Sequence, residues 1–101
     1  MDTTRLQSDL EIFANERDWN PFHSPKNLAM ALNVEAAELL EHFQWLTQEQ
    51  SADLDDGTRQ AVATEIADVQ IYLLRLADKL GIDIEQAVTE KMEENRARYP
   101  A

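Results

Sequence analysis

Glu35-x-x-Glu38 and Glu65-x-x-Asp68 are two acid pairs with the same i, i+3 spacing. On a helix that spacing puts both carboxylates of a pair on one face, one turn apart. Glu35 is the more telling residue. It opens the stretch EAAELLEHFQW, and at about 100° per residue it falls inside the apolar arc of Leu28, Leu32, Leu39 and Leu46. A carboxylate placed there is costly unless something compensates it. Two neighbouring antiparallel helices could point all four acids into one space, where like charges raise one another's pKa. A hard divalent cation resolves the conflict, because Mg²⁺ takes oxygen ligands, keeps waters and bridges substrate phosphates. The plainer reading stays open: acids at this spacing in an acidic protein also line solvated faces. Di-iron bundles need Glu-x-x-His pairs, and the chain has none.

The anomaly recurs with opposite sign near the C-terminus. Lys91 and Asn95 share the arc of Ile84, Val88, Met92 and Tyr99, with Arg98 beside them. Together they form a candidate phosphate clamp, or a lysine that merely snorkels to solvent. Trp19 and Trp45 stand just outside helices, where each either caps a core edge or stacks on a planar base. His23 follows Phe22 in a loop and could hydrogen-bond a ligand, and His42 extends the Glu35/Glu38 stripe as a support for a carboxylate. Tyr72 extends the Glu65/Asp68 stripe in the same way.

These residues need long helices to hold them, and the periodicity supplies four. The first covers about residues 3–17, with Leu6, Leu10, Phe13 and Ala14 on one face. Ser24-Pro25 starts the second, as N-cap and first helical residue, and it runs to Trp45 or Leu46. An acidic connector, TQEQSADLDDG, has room for a short helical turn. The third covers about 58–80 and stops at Gly81. Its main stripe is Val62, Ile66, Val69, Leu73, Leu76 and Leu80, with Ala67, Ile71 and Leu74 opposite. A helix apolar on both sides is central in a bundle or sits in an oligomer interface. Asp83, with Gln86 three residues on, resembles a capping box that starts the fourth helix. The reading is all-α: one four-helix bundle-type domain over residues 1–101, oligomeric.

Bulk composition narrows the function. A chain of 101 residues buries only about 60–65% of its unfolded surface, so oligomerisation would help it. Nine Lys and Arg against 20 Asp and Glu give a net charge of −11, which repels polymeric nucleic acid and anionic membranes. A small anionic ligand remains possible where a cationic pocket or a metal reverses the local field. With no Cys there is no disulfide framework and no thiolate nucleophile. The start, MDTTRLQSDLEIF, lacks the basic and apolar regions of a signal peptide, and no apolar run approaches about 18 residues. Cytoplasm is the default compartment.

The four segments RDWNPFHSPKNLAMAL, EAAELLEHFQW, EIADVQIYLLRLA and KMEENRARYP, in this order, resemble the MazG-like all-α nucleoside triphosphate pyrophosphohydrolases, most closely the dCTP pyrophosphatase branch. The resemblance spans about Phe13 to Pro100. It implies a dimer or dimer of dimers that uses Mg²⁺ to cleave a nucleoside triphosphate to the monophosphate and pyrophosphate. It maps Glu35, Glu38, Glu65 and Asp68 onto metal ligands. Trp19, His23, Trp45 and Tyr72 map onto the base and sugar pocket, and Lys91, Asn95, Arg98 and Tyr99 onto the phosphate-contacting motif. Glu38 or nearby Glu41 is the carboxylate expected to accept a proton from the attacking water. Val34 stands where the broader superfamily has a further Glu, as in the dCTP branch. Leu10 stands where some members of that branch have a His, which leaves the base open between dCTP, dUTP and a modified nucleotide. The competing class is a non-catalytic helical interaction protein.

Overall fold

A computed structural model describes residues 1–101 as helices and connecting turns, with no strand. Helix α1 is Thr3–Glu16, α2 is Pro25–Glu41, α3 is the short Gln48–Ser51, α4 is Asp56–Leu80 and α5 is Ile84–Arg98. A 3-10 turn, Asn20–Phe22, separates α1 from α2.

Side chains start each helix. Asp2, Ser24, Thr47, Asp55 and Asp83 accept hydrogen bonds from the backbone amides of Arg5, Asn27, Gln50, Thr58 and Gln86 respectively. Thr47 and Gln50 close a reciprocal capping box, which makes the connector's expected turn into α3. The box expected at α5 does not close. The Gln86 side chain donates forward to Glu90 instead of accepting from the Asp83 amide. Helix α4 ends as expected at Gly81, whose φ of 65° only glycine adopts without cost. Helix α1 ends in the same geometry, but there the left-handed residue is Asp18, at φ 55°. The amide of Trp19 reaches back to the Ala14 carbonyl, as that of Ile82 does to Ala77.

Helix α2 stops at Glu41, short of the expected Trp45 or Leu46. The amides of His42 and Phe43 bond three residues back instead of four, and His-Phe-Gln-Trp offers weak helix formers just before the extended cap Thr47.

Helix α4 packs mainly on α2 and secondarily on α1. The two contacts use different arcs, and this corrects the expected stripe. Val62 is buried, but Ile66, Leu73 and Leu80 face outward. Leu74, expected on the uncovered side, is buried beneath α1, where its carbonyl accepts from Gln7. Ile71 lines a cavity.

Little else is buried: Ala14, Leu28, Val62, Leu74, Ala77 and, unexpectedly, Arg75. Helix α5 is exposed from Glu85 onward. The radius of gyration is 16.4 Å, against about 13 Å for a compact domain of this length. The surface is 7748 Å², where a compact monomer of 11.6 kDa exposes about 5,800 Å². No helix is long and apolar enough to cross a membrane.

Candidate active site

The pairing of α2 with α4 brings the two acid motifs together. Carboxylate oxygens of Glu35, Glu38 and Glu65 lie within 4.8 Å of one another. One oxygen each of Glu35 and Glu65 is buried without any hydrogen-bond partner. Desolvation first, then the neighbouring Glu38, Glu65 and Asp68, push the Glu35 carboxyl up to about 7. Asp68 stands outside the close trio, one turn along α4, and joins Glu35 in the wall of a cavity. Hard oxygen donors with buried, unpartnered lone pairs are what an Mg²⁺-type cation requires. The acidic cluster therefore fits a metal ion.

The cavity beside it measures about 260 Å³. Leu10, Phe13, Ala14 and Ile71 supply its apolar walls, while Trp19, Tyr72, His23 and Arg75 add aromatic and polar groups. Its size lies just below the roughly 300–1,000 Å³ of sites that enclose a drug-sized ligand, so it suits one part of a larger molecule. Trp19 is fixed by the turn at Asp18 and packs edge-on against Phe13, with ring centroids 5.5 Å apart. Arg17 covers Phe13, its guanidinium carbon 3.5 Å from the ring centre.

Behind the cavity lies a charged network that the sequence reading missed. Arg75, 2% exposed, donates to Glu11 at 2.5 Å and to Asn20 at 2.8 Å, and its second terminal nitrogen lies 3.2 Å from Nδ1 of His23. Asn20 also accepts from Lys79 at 3.0 Å and donates to Glu11 at 3.1 Å. The Arg75 hydrogen bond holds the Glu11 carboxyl below its usual range, whereas burial lowers His23, helped by the charges of Arg75 and Lys79. A signal existed: Glu65, Asp68, Tyr72 and Arg75 continue one polar stripe in steps of three and four along α4.

Other expected site residues are not gathered in by the single chain. Trp45 is 87% exposed. Glu41 is exposed, and His42 lines a separate groove with Leu46 and Thr58. Lys91, Asn95 and Arg98 lie along exposed α5 and Tyr99 caps its end; Lys91 pairs with Glu94 at 3.2 Å and Arg98 lies over the Tyr99 ring at 5.6 Å.

The family model described as MazG-like matches residues 30–101, the part that carries both acid pairs and the C-terminal motif. The chain belongs to the MazG-like family. It is 44% identical to human (Homo sapiens) dCTP pyrophosphatase 1 over 102 residues and 43% identical to the mouse (Mus musculus) protein over 106. These alignments cover 99% and 98% of this chain, which spans 58% of the length of each relative. The crystal structure of a pyrophosphatase from Archaeoglobus fulgidus is similar along the whole chain and 94% of its own, with a TM-score of 0.93 and 40% identity. The helical MazG-like fold is therefore common to both, and the expected family resemblance holds.

Proposed function

We propose that this chain is one MazG-like domain that hydrolyses a nucleoside triphosphate, dCTP or a modified dCTP, to the monophosphate and pyrophosphate with Mg²⁺. The observation that carries the reading is the trio Glu35, Glu38 and Glu65, in which Glu35 and Glu65 keep buried unpartnered oxygens and Glu35 lines a cavity shared with Trp19 and Tyr72. The names of the similar human and mouse proteins support dCTP as substrate. Glu35, Glu38, Glu65 and Asp68 would hold the metal. When bound, Mg²⁺ supplies Lewis-acid activation of a phosphoryl group and lowers the pKa of water.

The chain's own residues divide the remaining work. Trp19, Tyr72 and His23 bind the base and sugar in the cavity, where aromatic faces accept any planar ring and the polar groups orient it. Glu38 or Glu41 takes a proton from the attacking water, whose oxygen bonds to the phosphorus as the bond to the pyrophosphate oxygen breaks. The leaving pyrophosphate takes up a proton from solvent.

Assembly completes this site in the same proposal. If each subunit buried its excess surface of roughly 1,900 Å² over a compact monomer, the two sides of a dimer would total about 3,800 Å², the size of an obligate interface. Exposed Ile66, Leu73 and Leu80 on α4, with Val88 and Met92 on α5, provide its apolar part. A dimer or dimer of dimers would bring Lys91, Asn95, Arg98 and Tyr99 of one subunit, together with Trp45, towards the acids of another. Light scattering that finds a stable monomer at micromolar concentration counts against this assembly.

The functional test is a panel of triphosphates with Mg²⁺, following pyrophosphate. Pyrophosphate and monophosphate from dCTP in equal amounts is the expected result. Release from no triphosphate sinks the reading and leaves a helical interaction protein.

A further inference from the structure

We propose that Arg75 is a positioning residue that holds His23 as its Nε2–H tautomer, giving the cavity a fixed N–H donor for an acceptor atom on the bound base. This rests on the nucleotide reading above and deepens it. A guanidinium can only donate hydrogen bonds. At 3.2 Å from the Arg75 terminal nitrogen, Nδ1 of His23 must therefore accept. An imidazolium there would set two donors face to face. The ring is thus neutral, with its proton on Nε2, the nitrogen that makes no hydrogen bond within the chain.

Arg75 is itself held fast. Its two terminal nitrogens reach Glu11 on α1 and Asn20 in the turn after it, and the planar fork addresses these and His23 together. Lysine, a point charge on a flexible stem, cannot reproduce that geometry. Burying a cation at this position is poorly explained by stability. Its Nε has no partner, and well-packed apolar residues often replace a buried ion pair without loss. An orienting role accounts for it. The charged groups facing His23 are Arg75 and Lys79 from α4 and Glu11 from α1, two cations against one anion. The nearest ring is Trp19, at 6.2 Å between centroids. His23 and Trp19 line the same cavity, so a stacked base meets a donor of fixed polarity. Ring nitrogens and carbonyl oxygens of pyrimidines are the acceptors such a donor selects.

The test reads the ring directly. Long-range proton–nitrogen NMR of the nucleotide-free wild-type protein should show His23 protonated on Nε2 and not on Nδ1 at pH 7, titrating below about 6.5. Arg75→Met combined with Glu11→Gln, which removes both charges of the pair, should give mixed tautomers and a higher titration point. KM for the triphosphate should rise about tenfold at pH 7, with kcat changed less than about twofold. Arg75→Lys should restore the wild-type spectrum only partly. A proton on Nδ1, or a charged ring, in the wild type at pH 7 overturns the proposal whether or not the variants fold. So does a double variant with unchanged spectrum or unchanged KM. The spectra need no turnover, so inactivity on every triphosphate would sink the pyrophosphohydrolase reading while the tautomer was judged on its own.

Discussion

The two ends of the cavity handle buried charge in opposite ways. At one end Glu35, Glu38 and Glu65 crowd together with no cation among them, and two oxygens go without partners. At the other end Arg75, Glu11, Asn20, His23 and Lys79 interlock, and every terminal guanidinium nitrogen is used. A carboxylate cluster left unsatisfied by the protein is unfinished without a ligand. A cluster whose charges are paired internally is set before any ligand arrives, even with the Arg75 Nε left without a partner, and so can fix orientation. One end invites something in, and the other holds still while it comes.

The largest effect that could break this contrast is on turnover. Glu35→Gln should reduce pyrophosphate release by a thousandfold or more under saturating Mg²⁺, because a neutral amide is a far poorer ligand for a hard cation. Activity near the wild-type level would remove Glu35 from the metal site. Next come the cations of α5. A triphosphate carries about four negative charges, and the surrounding acids add to them. Lys91→Ala or Arg98→Ala should each lower kcat/KM about 30- to 1000-fold if the side chain contacts the phosphates being cleaved, roughly 2–4 kcal/mol. Arg96, about 160° round the helix from Arg98 and paired with Glu93, is the control and should tolerate alanine. Near-wild-type rates in all three variants would show the clamp to be misplaced.

The internally paired end should respond in stability. Arg75→Met alone leaves Glu11 without its cation. Glu11 reaches solvent, with 40% of its side chain exposed, so the loss should fall below that of a fully buried pair, at about 1–3 kcal/mol in urea unfolding. The unsatisfied end should respond to pH. Glu35 holds its proton more tightly folded than unfolded, so this contribution is complete below about pH 4.5 and is lost as the pH rises through about 7. His23, lowered by burial, has the opposite slope below about 6.5. The melting temperature in chelator should therefore fall most clearly between about pH 6.5 and 8. Glu35→Gln should abolish that fall and melt a few degrees higher than wild type at pH 8. The smallest effect lies in the scaffold. Asp18→Gly should stabilise the protein by about 0.5–1 kcal/mol, since glycine adopts the left-handed conformation without a Cβ clash.

What the sequence disclosed depended on whether a signal was periodic. The caps at Ser24 and Asp83 and the stop at Gly81 follow from local rules, and all appear in the fold. The end of α2 was misplaced because Thr47 competes for the chain, and its strength shows only once Gln50 closes the box. The stripe along α4 does not match its packing because one wheel cannot represent a 25-residue helix that meets α2 and α1 on different arcs. Arg75 is not marked by its residue type, because a single arginine on a helix normally faces water. Its partners Glu11 and Asn20 lie 64 and 55 residues away, and only folding sets them beside it.

The unpacked α5 has a consequence for how this protein answers dilution. If its exposed apolar side chains are covered only by other subunits, the native state is favoured by mass action, and the melting temperature climbs with total protein. Unfolding curves taken at different concentrations should not superimpose. If α5 also supplies the cations proposed for the site of another subunit, turnover per subunit should decline on dilution as the subunits separate.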